Sequence, residues 1–543
     1  QPPRDPAPAG PLGGSPAEPA GRSLARTAGS LPVILILLIA AVCLVLGHLL
    51  LTEFMPSPAI GLLGFIFLVG ALGYVLLSRN DQFSFAIIVY ICSHFSFAEN
   101  QGGLWNLLAA ILILMHFALG LKRETLPGRE LSIFVLLWVL VLANVLGWGV
   151  MSPVDVVERA KGAVAFLGFI LTFQLVSNLE ITPARLRTFL LVTLAICVYQ
   201  FLVALNQRYA VVNLNTPLLG AYSRDAGFIT YGSTNAQGTL RHSELFGEYG
   251  AMLWCILLPV LSSSTIQKVL QIRLWAILLP MLLCLAFVAL TSTRSAAFLV
   301  VIALLVFYVV NLRRSYAAID RLSRQFQLGL FVLVVVTAFG AWIGVQSLTE
   351  NLQEIDRGSL TTESIISGEA LNRGGLFPAA LERLGSQSWL IGFGWGTPRV
   401  NMWAWFGVDP ARMEIGLSDY HNLYLALPML FGWLGSAAFL GLIVLVWMRV
   451  SRAAVSAKHL KIPVMTLALG LSLVWPLLMI DQYKISVLRS PGYFMIFWIW
   501  LGLSVAAART LDLNRARALQ RLRARSATGD AGAPGPGSPD PAG

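Results

Sequence analysis

Long apolar runs, separated by short polar stretches, occupy most of the chain between residues 31 and 510. Each run holds about 20 residues, which is the length that an α-helix needs to cross a hydrocarbon core of roughly 30 Å. A helix also satisfies its own backbone hydrogen bonds, as lipid requires. The pattern predicts an all-α polytopic membrane protein with about 14 transmembrane helices, within a range of roughly 12 to 14.

The predicted spans are 31–51, 57–78, 82–98, 103–121, 131–150, 160–178, 187–206, 244–262, 273–291, 295–312, 327–346, 422–448, 462–481 and 491–509. Three regions follow: a disordered tail (1–30), a transmembrane helical domain (31–510), and a tail (511–543) that is basic and then disordered. An even number of spans places both tails on one side of the membrane.

Two connections, 207–243 and 347–421, are far longer than the others. Long loops in compact proteins are usually functional or disordered. The longer loop contains the run Gly392–Gly396 and is rich in tryptophan, a composition that disorder does not favour. We therefore expect this loop to fold, as short helices on the membrane surface.

The composition agrees with a membrane protein, since 57% of the residues are hydrophobic and 12% are charged. The net charge of +11 arises from loops and tails, which favours lipid headgroups over nucleic acid. With both tails in the cytoplasm, about two thirds of the 38 Lys and Arg residues lie on the inner side, as the positive-inside rule requires. The two long loops then lie outside. All five cysteines fall in predicted spans, so no disulfide or zinc framework is expected.

His421 lies where the longer loop enters a span, close to Asp419 and followed by Asn422. Imidazole accepts a proton near neutral pH, and a neighbouring carboxylate or amide can orient it. The placement suits a general base at the membrane surface. A plainer interpretation is an interfacial histidine followed by an Asn cap of the next helix. Spacing alone leaves both open.

Arg294 lies in the outer hinge between two closely spaced spans, within Thr293-Arg294-Ser295. A cation there opposes the charge bias, and a buried arginine costs about 2.5–3.5 kcal/mol at the middle of a membrane and less toward its surface. An anionic partner would offset this cost. Snorkelling to the outer headgroups is an equal alternative.

Arg241 and His242 close the smaller loop, just before Glu244 and Glu248 on one face of the next helix. Glu248 lies a full turn inside the apolar stretch, where pairing with an arginine would make it tolerable. The alternative is a surface Arg–Glu pair at a helix N-terminus, where acidic residues are favoured.

Other polar residues have plainer interpretations. The outer charges are expected to be solvated or to pair with one another, with one or two free to bind an anionic headgroup: Arg373, Arg399, Asp481, Lys484 and Arg489. The intramembrane histidines are expected to be packing residues: His48, His94 and His116.

This set of outer residues suits displacement of a lipid diphosphate by a sugar hydroxyl, because a guanidinium group binds phosphate oxygens bidentately and keeps its charge. The outer loops hold no Asp-x-Asp pair, and the chain has no Gly-x-x-x-x-Gly-Lys-Ser/Thr loop. Neither metal-bridged nucleotide-sugar chemistry nor ATP hydrolysis is favoured, so no metal or cofactor is expected.

Several sequence elements occur in a recognisable order in roughly the second half of the chain: Arg241 before a span, Thr293-Arg294-Ser295, a loop with Arg373 and Gly392–Gly396, His421-Asn422-Leu423-Tyr424-Leu425, and Gly432-Trp433-Leu434-Gly435. This order resembles the O-antigen ligase and O-antigen (repeat-unit) polymerase family of bacterial membrane glycosyltransferases. His242-Ser243-Glu244 after Arg241 departs from the family's pattern. The predicted number of spans exceeds that of the ligases and favours a polymerase.

The resemblance implies a GT-C-like helical bundle in the bacterial inner membrane, acting at the periplasmic face without a metal. It would transfer glycan from an undecaprenyl-diphosphate donor to a saccharide or lipid-linked acceptor hydroxyl. Arg241 and Arg294 would hold the diphosphate and His421 would act as the base. The candidate supporting residues are His242, Glu248, Arg373 and Asp419.

Two other functions remain open. A lipid-linked oligosaccharide flippase would place its binding charges near the midplane, in paired broken helices. A scaffold protein would have no catalytic residues. The sequence does not distinguish a polymerase, a ligase or a protein glycan transferase, since these differ only in the attacking hydroxyl.

Overall fold

The computed structural model describes residues 82–94, 128–147, 156–209, 236–240, 243–291, 293–314, 390–392, 394–395, 422–483 and 486–527. Throughout these ranges the regular structure is helical, which confirms the predicted α class for this part of the chain. Ten of the fourteen predicted spans coincide with helices. The other four lie outside the described residues: 31–51, 57–78, 103–121 and 327–346.

The helices, in chain order, are α1 (Gln82–His94), α2 (Gly128–Leu146), α3 (Val156–Ser177), α4 (Pro183–Tyr209), α5 (Ser243–Leu261), α6 (Ser264–Leu270), α7 (Trp275–Thr291), α8 (Arg294–Arg314), α9 (Leu423–Ser456), α10 (Pro463–Asp481) and α11 (Pro491–Ala527). A single turn of 3₁₀ helix, Val487–Arg489, joins α10 to α11.

Five of the described helices are long and apolar enough to cross a membrane: α4, α5, α9, α10 and α11. The number rises to six if α6 and α7, which meet at 112°, form one span. Shorter apolar stretches occupy α2, α3 and α8. The chain is therefore an α-helical membrane protein.

The helices run alternately up and down, so that their ends gather in two places. At the end that we call the upper end, α5, α8, α9 and α11 begin, while α4, α7 and α10 finish. Backbone bonds join these ends, such as Leu423 N to Gln482 O at 3.0 Å. At the opposite, lower end, Arg449 binds Asp512 at 2.5 Å and Arg517 binds Glu180 at 3.2 Å. This alternation is the one that the predicted spans require.

Helix α11 is almost entirely buried up to Leu511, and this part of it is apolar on nearly all sides, as expected of a helix inside a bundle. Trp498 and Trp500 are fully buried in it, and Ser504 accepts a hydrogen bond from Trp475 Nε1 at 2.9 Å. The helix does not end at the predicted residue 509 but continues to Ala527. The predicted basic tail is helical up to this point, because its Ala, Leu and Arg residues favour helix and no Gly or Pro interrupts them.

Helix α9 is broken at Gly432, where φ is +67° and ψ is 179°. Residues 390–392 and 394 of the longer loop pack against this break. Gly394 N donates to Leu430 O at 2.7 Å, and Trp395 N donates to Asn144 Oδ1 of α2 at 2.6 Å. The break therefore exchanges a bond within the helix for a bond to the loop. The described loop residues form turns and bends, and the rest of the loop, where short helices were predicted, lies outside the described residues.

Replacing Gly432 by Ala is expected to destabilise the protein. A Cβ there would meet Ile391 Cα and N at 2.6 Å, and a side chain is strained at this φ. Such strain costs about 1–3 kcal/mol, which should lower the apparent melting temperature of the detergent-purified protein. Gly441→Ala is the matched control, since its Cβ would meet only Leu136 Cδ1, at 3.3 Å. Equal melting temperatures for the two variants would contradict the packing at the break.

Candidate functional site

Of the predicted site residues, the structure describes Glu248 and the backbone of Arg294, both at the upper end. Arg294 is the first residue of α8, and its side chain lies outside the described part. Glu248 lies in the second turn of α5. Five further residues lie outside the described residues: Arg241, His242, Arg373, Asp419 and His421. For three of them the adjoining residues are described, and these show where the chain enters the site.

The hinge that precedes Arg294 packs directly on α5. Gly247 of α5 has no room for a side chain, because a Cβ would meet Thr291 Oγ1 at 2.9 Å and Thr293 Oγ1 at 3.1 Å. Both threonines are buried, and Thr291 Oγ1 donates to Val288 O at 2.9 Å. The structure therefore places the start of α8 against the second turn of α5, beside Glu248.

Residues 236–240, which we call the lead-in segment, precede Arg241 and are held by Gln207 of α4. Gln207 Oε1 accepts hydrogen bonds from Gln237 N and Gly238 N, both at 2.9 Å. Gln207 Nε2 donates to Gly238 O at 2.8 Å. One glutamine thus satisfies three backbone groups that belong to no helix.

Gln200, two turns before Gln207 and on the same face of α4, holds the other half of the lead-in segment. Its Oε1 accepts from Thr239 N at 3.0 Å, and its Nε2 donates to Thr239 Oγ1 at 2.5 Å. The Thr239 hydroxyl in turn donates to His94 O at the end of α1. The chain that leads to Arg241 is therefore fixed to α1 and α4.

The lead-in segment and α4 also share an acceptor at the end of α7. Leu290 O lies in the last turn of α7, where carbonyls lack partners within their own helix. It accepts from Ala236 N and from Arg208 Nη1 of α4, both at 3.1 Å. The lead-in segment, which precedes Arg241, is therefore bonded to α7 just before the hinge that leads to Arg294.

The first turn of α9, which follows His421, is fixed at both its cap and its backbone. Asn422 Oδ1 accepts from Tyr424 N at 2.8 Å, so the predicted Asn cap is confirmed. Leu423 N donates to Gln482 O at 3.0 Å. The main chain leaving His421 is therefore bound to the residue that follows α10.

Glu248 is fully buried, and it joins α5 to Gln482, the residue that follows α10. Gln482 Nε2 donates to both of its carboxyl oxygens, at 3.1 and 3.0 Å. Tyr493 of α11 donates to Oε1 at 2.6 Å, and the Asp481 carboxyl interacts directly with that of Glu248. Gln482 Oε1 accepts from Val487 N at 2.6 Å, which fixes the orientation of its amide. A continuous path thus links Glu248 to the start of α9.

The burial of two carboxyl groups excludes one expectation for each of them. Glu248 is not part of a surface pair at a helix end, because it has no exposed area; its hydrogen-bond donors within the described part of the chain are Gln482 and Tyr493. Asp481 is not solvated, because it is buried beside Glu248. Its other expected arrangement, a pair with another outer charge, stays a prediction. Lys484 lies outside the described residues, as does the side chain of Arg489.

His94 packs as expected, with its ring against Tyr90 and Tyr249 and its Nδ1 at 2.7 Å from Tyr90 O. His48 and His116 lie outside the described residues. The described cysteines with defined side chains are buried free thiols: Cys197, Cys255 and Cys284. Within the described ranges, no group of three or more His, Cys, Asp or Glu residues is placed to hold a metal ion.

Four residues that organise the upper end were missed by the sequence analysis: Gln200, Gln207, Gln482 and Tyr493. For the first two, a usable pattern existed. Polar side chains within apolar spans are costly and usually have a partner, and a spacing of seven residues places both glutamines on one helix face. Gln482 and Tyr493 offered no such pattern, since their partner Glu248 is more than two hundred residues away in sequence.

A comparison with known protein families and with curated proteins finds no match to the chain. The arrangement of the upper end therefore carries the functional argument.

Gln207→Leu is expected to release the lead-in segment, because it removes three hydrogen bonds to backbone groups. Each bond contributes about 1 kcal/mol, so amide hydrogen exchange at residues 236–240 should accelerate roughly tenfold or more. Gln520→Leu, at an exposed position of α11, is the control and should leave these amides unchanged. Unaltered exchange in Gln207→Leu would show that the glutamine does not hold the segment.

Proposed function

We propose that the upper end is the active site of a membrane glycosyltransferase that moves glycan from an undecaprenyl-diphosphate donor to an acceptor hydroxyl. The acceptor is a saccharide or a lipid-linked sugar, as in a polysaccharide repeat-unit polymerase or an O-antigen ligase. Neither a metal nor another cofactor takes part. The lipid-linked donor itself supplies the energy of the reaction.

One observation carries the proposal. The chain segments adjoining Arg241, Arg294 and His421 come from distant parts of the sequence, and they meet at one end of the bundle. The lead-in segment binds Leu290 O near the hinge, the hinge packs on Gly247, and Glu248 is linked through Gln482 to Leu423. The described segments next to two arginines and a histidine therefore reach one region from different directions, which supports a shared site for the three side chains.

The backbone at this end favours an anion. Helix α5 begins two residues after Arg241, α8 begins at Arg294, and α9 begins two residues after His421. Each helix N-terminus carries a partial positive charge, and in α9 the first two N–H groups are already bonded to Gln482 O and Asn422 Oδ1. Together with guanidinium groups, which bind phosphate oxygens through charge-assisted bonds, these N-termini suit a diphosphate. This supports Arg241 and Arg294 as the groups that hold it.

The chemistry follows from these roles. The oxygen of the acceptor hydroxyl attacks the anomeric carbon of the donor and forms the new glycosidic bond. The bond from that carbon to the diphosphate oxygen breaks, and the electron pair leaves with the undecaprenyl diphosphate. His421 takes the hydroxyl proton, and Arg241 and Arg294 stabilise the charge on the departing group. His242, Arg373 and Asp419 would support these groups.

The charges at the lower end support a periplasmic site in the bacterial inner membrane. Arg185, Arg187, Arg449 and Arg452 lie there, as do the arginines of α11 after residue 509. Under the positive-inside rule this end faces the cytoplasm, together with both termini. The upper end and the two long loops then face the periplasm.

The break in α9 favours one alternative, a flippase for lipid-linked oligosaccharides, because transporters bind substrates at broken helices. Here the break at Gly432 is filled by residues 390–392 and 394 of the same chain, and Gly394 N donates to the Leu430 carbonyl beside the break. The partly polar upper end remains the better location for a substrate. A flippase would move the donor lipid across a bilayer without forming a glycosidic bond, and an assay of product separates the two functions.

His421→Ala is expected to lower transfer at least about a hundredfold, because a positioned base contributes about 10²–10⁴-fold. The measurement is glycan formed in cells at equal protein level, and then by purified protein supplied with a lipid-linked repeat unit. The exposed His459 at the lower end provides the matched control, His459→Ala, which should retain activity. A ladder of products identifies a polymerase, and single transfer to an added acceptor identifies a ligase. Full activity of His421→Ala would refute the catalytic role.

Arg294→Gln is expected to weaken use of the donor, since one charge-assisted bond is worth about 1.5–3 kcal/mol, or roughly 10–150-fold. The loss should appear in kcat/KM for the lipid-linked donor. Arg294→Lys should recover part of it, because it keeps the charge but not the bidentate fork. Arg452→Gln, at an exposed lower-end position, is the control. Unchanged donor use by Arg294→Gln would exclude its diphosphate-binding role.

A further inference from the structure

We infer that Glu248 is a positioning residue, which holds the start of α9, and thereby His421, in register with the donor-binding segments around α5. This inference rests on the proposed function for its kinetic consequence. Its structural consequence, the fixed position of the α9 start, can be measured whether or not the protein transfers glycan.

The hydrogen bonds form a path from one side of the site to the other. On the donor side, Glu248 follows Gly247, which packs on the hinge residues Thr291 and Thr293. On the base side, Gln482 binds both Glu248 carboxyl oxygens through its amide and binds Leu423 N through its backbone carbonyl. Gln482 therefore bridges the Glu248 carboxyl group and the first turn of α9.

The carboxyl group suits this role because both of its oxygens accept from converging donors. Gln482 Nε2 and the Tyr493 hydroxyl both donate to it. Gln482 cannot rotate freely, since its Oε1 is occupied by Val487 N. An apolar side chain at position 248 would leave the Gln482 amide and the Tyr493 hydroxyl buried without this acceptor, which is costly in an apolar interior.

The full burial of Glu248 separates positioning from direct catalysis. None of its area is exposed, and its oxygens are engaged by Gln482, Tyr493 and Asp481. It acts on the reaction through the main chain that leads to His421. Its loss should therefore displace the base while leaving the arginines of the donor site in place.

Three variants test this inference. Glu248→Leu removes every acceptor, Tyr493→Phe removes one donor with little change of volume, and Glu248→Gln keeps the size and one acceptor oxygen. Ser504→Ala is the control, because it removes a buried bond, that from Trp475 Nε1, inside the bundle but away from the site. The purified full chain is assayed for kcat, for KM of the lipid-linked donor, and for amide hydrogen exchange across residues 420–426.

Glu248→Leu should lower kcat at least about tenfold with the donor KM within about twofold, and should accelerate exchange at the start of α9. Tyr493→Phe should also lower kcat and accelerate this exchange, to a smaller extent. It provides the test if Glu248→Leu fails to fold. Glu248→Gln should retain most activity and protection. Ser504→Ala should change neither.

Two results would overturn the inference. Glu248→Gln as inactive as His421→Ala would make Glu248 a proton-transfer group. Unchanged exchange at residues 420–426 in both Glu248→Leu and Tyr493→Phe would show that the network does not hold α9. If His421→Ala keeps full activity, the proposed function fails instead, and the exchange measurement still decides whether Glu248 positions the helix.

Discussion

The arrangement of the upper end depends on a carboxyl group buried among apolar helices. A carboxyl group without partners is strongly unfavourable in such surroundings, so α10 and α11 must deliver donors to Glu248. Gln482 and Tyr493 do so, and the backbone of Gln482 simultaneously binds the first turn of α9. Four helices from different parts of the chain are thereby fixed around one side chain.

The same requirement explains the other features of this end. Backbone that leaves a helix inside an apolar bundle needs partners, since neither lipid nor apolar side chains provide them. Gln200 and Gln207 hydrogen-bond to the backbone of the lead-in segment, and Leu290 O accepts from Ala236 N. At the break in α9, Gly394 N donates to a free carbonyl. The lead-in segment and the loop residues at the break are therefore held by hydrogen bonds, although they are not helical. A site that must place several groups precisely benefits from such support.

The sequence predicted those features that depend on local patterns. Apolar runs located ten of the eleven α-helices that the structure describes, and Asn422 before an apolar run predicted a helix cap that is present. The hinge before Arg294 was likewise predicted from two closely spaced spans. The helical extension to Ala527 was missed because hydrophobicity ends at the membrane, whereas helix propensity does not.

Features that depend on long-range contacts were beyond the sequence. A buried partner for Glu248 was expected, but the identity of Gln482 and Tyr493 as its donors depends on how α5, α10 and α11 pack. The break at Gly432 is stabilised by loop residues about forty positions earlier, and Gly432-Trp433-Leu434-Gly435 alone does not indicate it. The convergence of the Arg241, Arg294 and His421 segments was a prediction from membrane topology, and the described neighbours of these residues agree with it.

The most direct test of the central claim, that these segments meet at one end, is cross-linking between paired cysteines. Arg294→Cys and His421→Cys would be combined in a chain whose five native cysteines are replaced by serine, and treated in membranes with a short bifunctional maleimide. The account predicts a cross-link for this pair and none for Arg294→Cys with Lys458→Cys at the lower end. No cross-link between positions 294 and 421, with both thiols reactive toward a monofunctional maleimide, would contradict it.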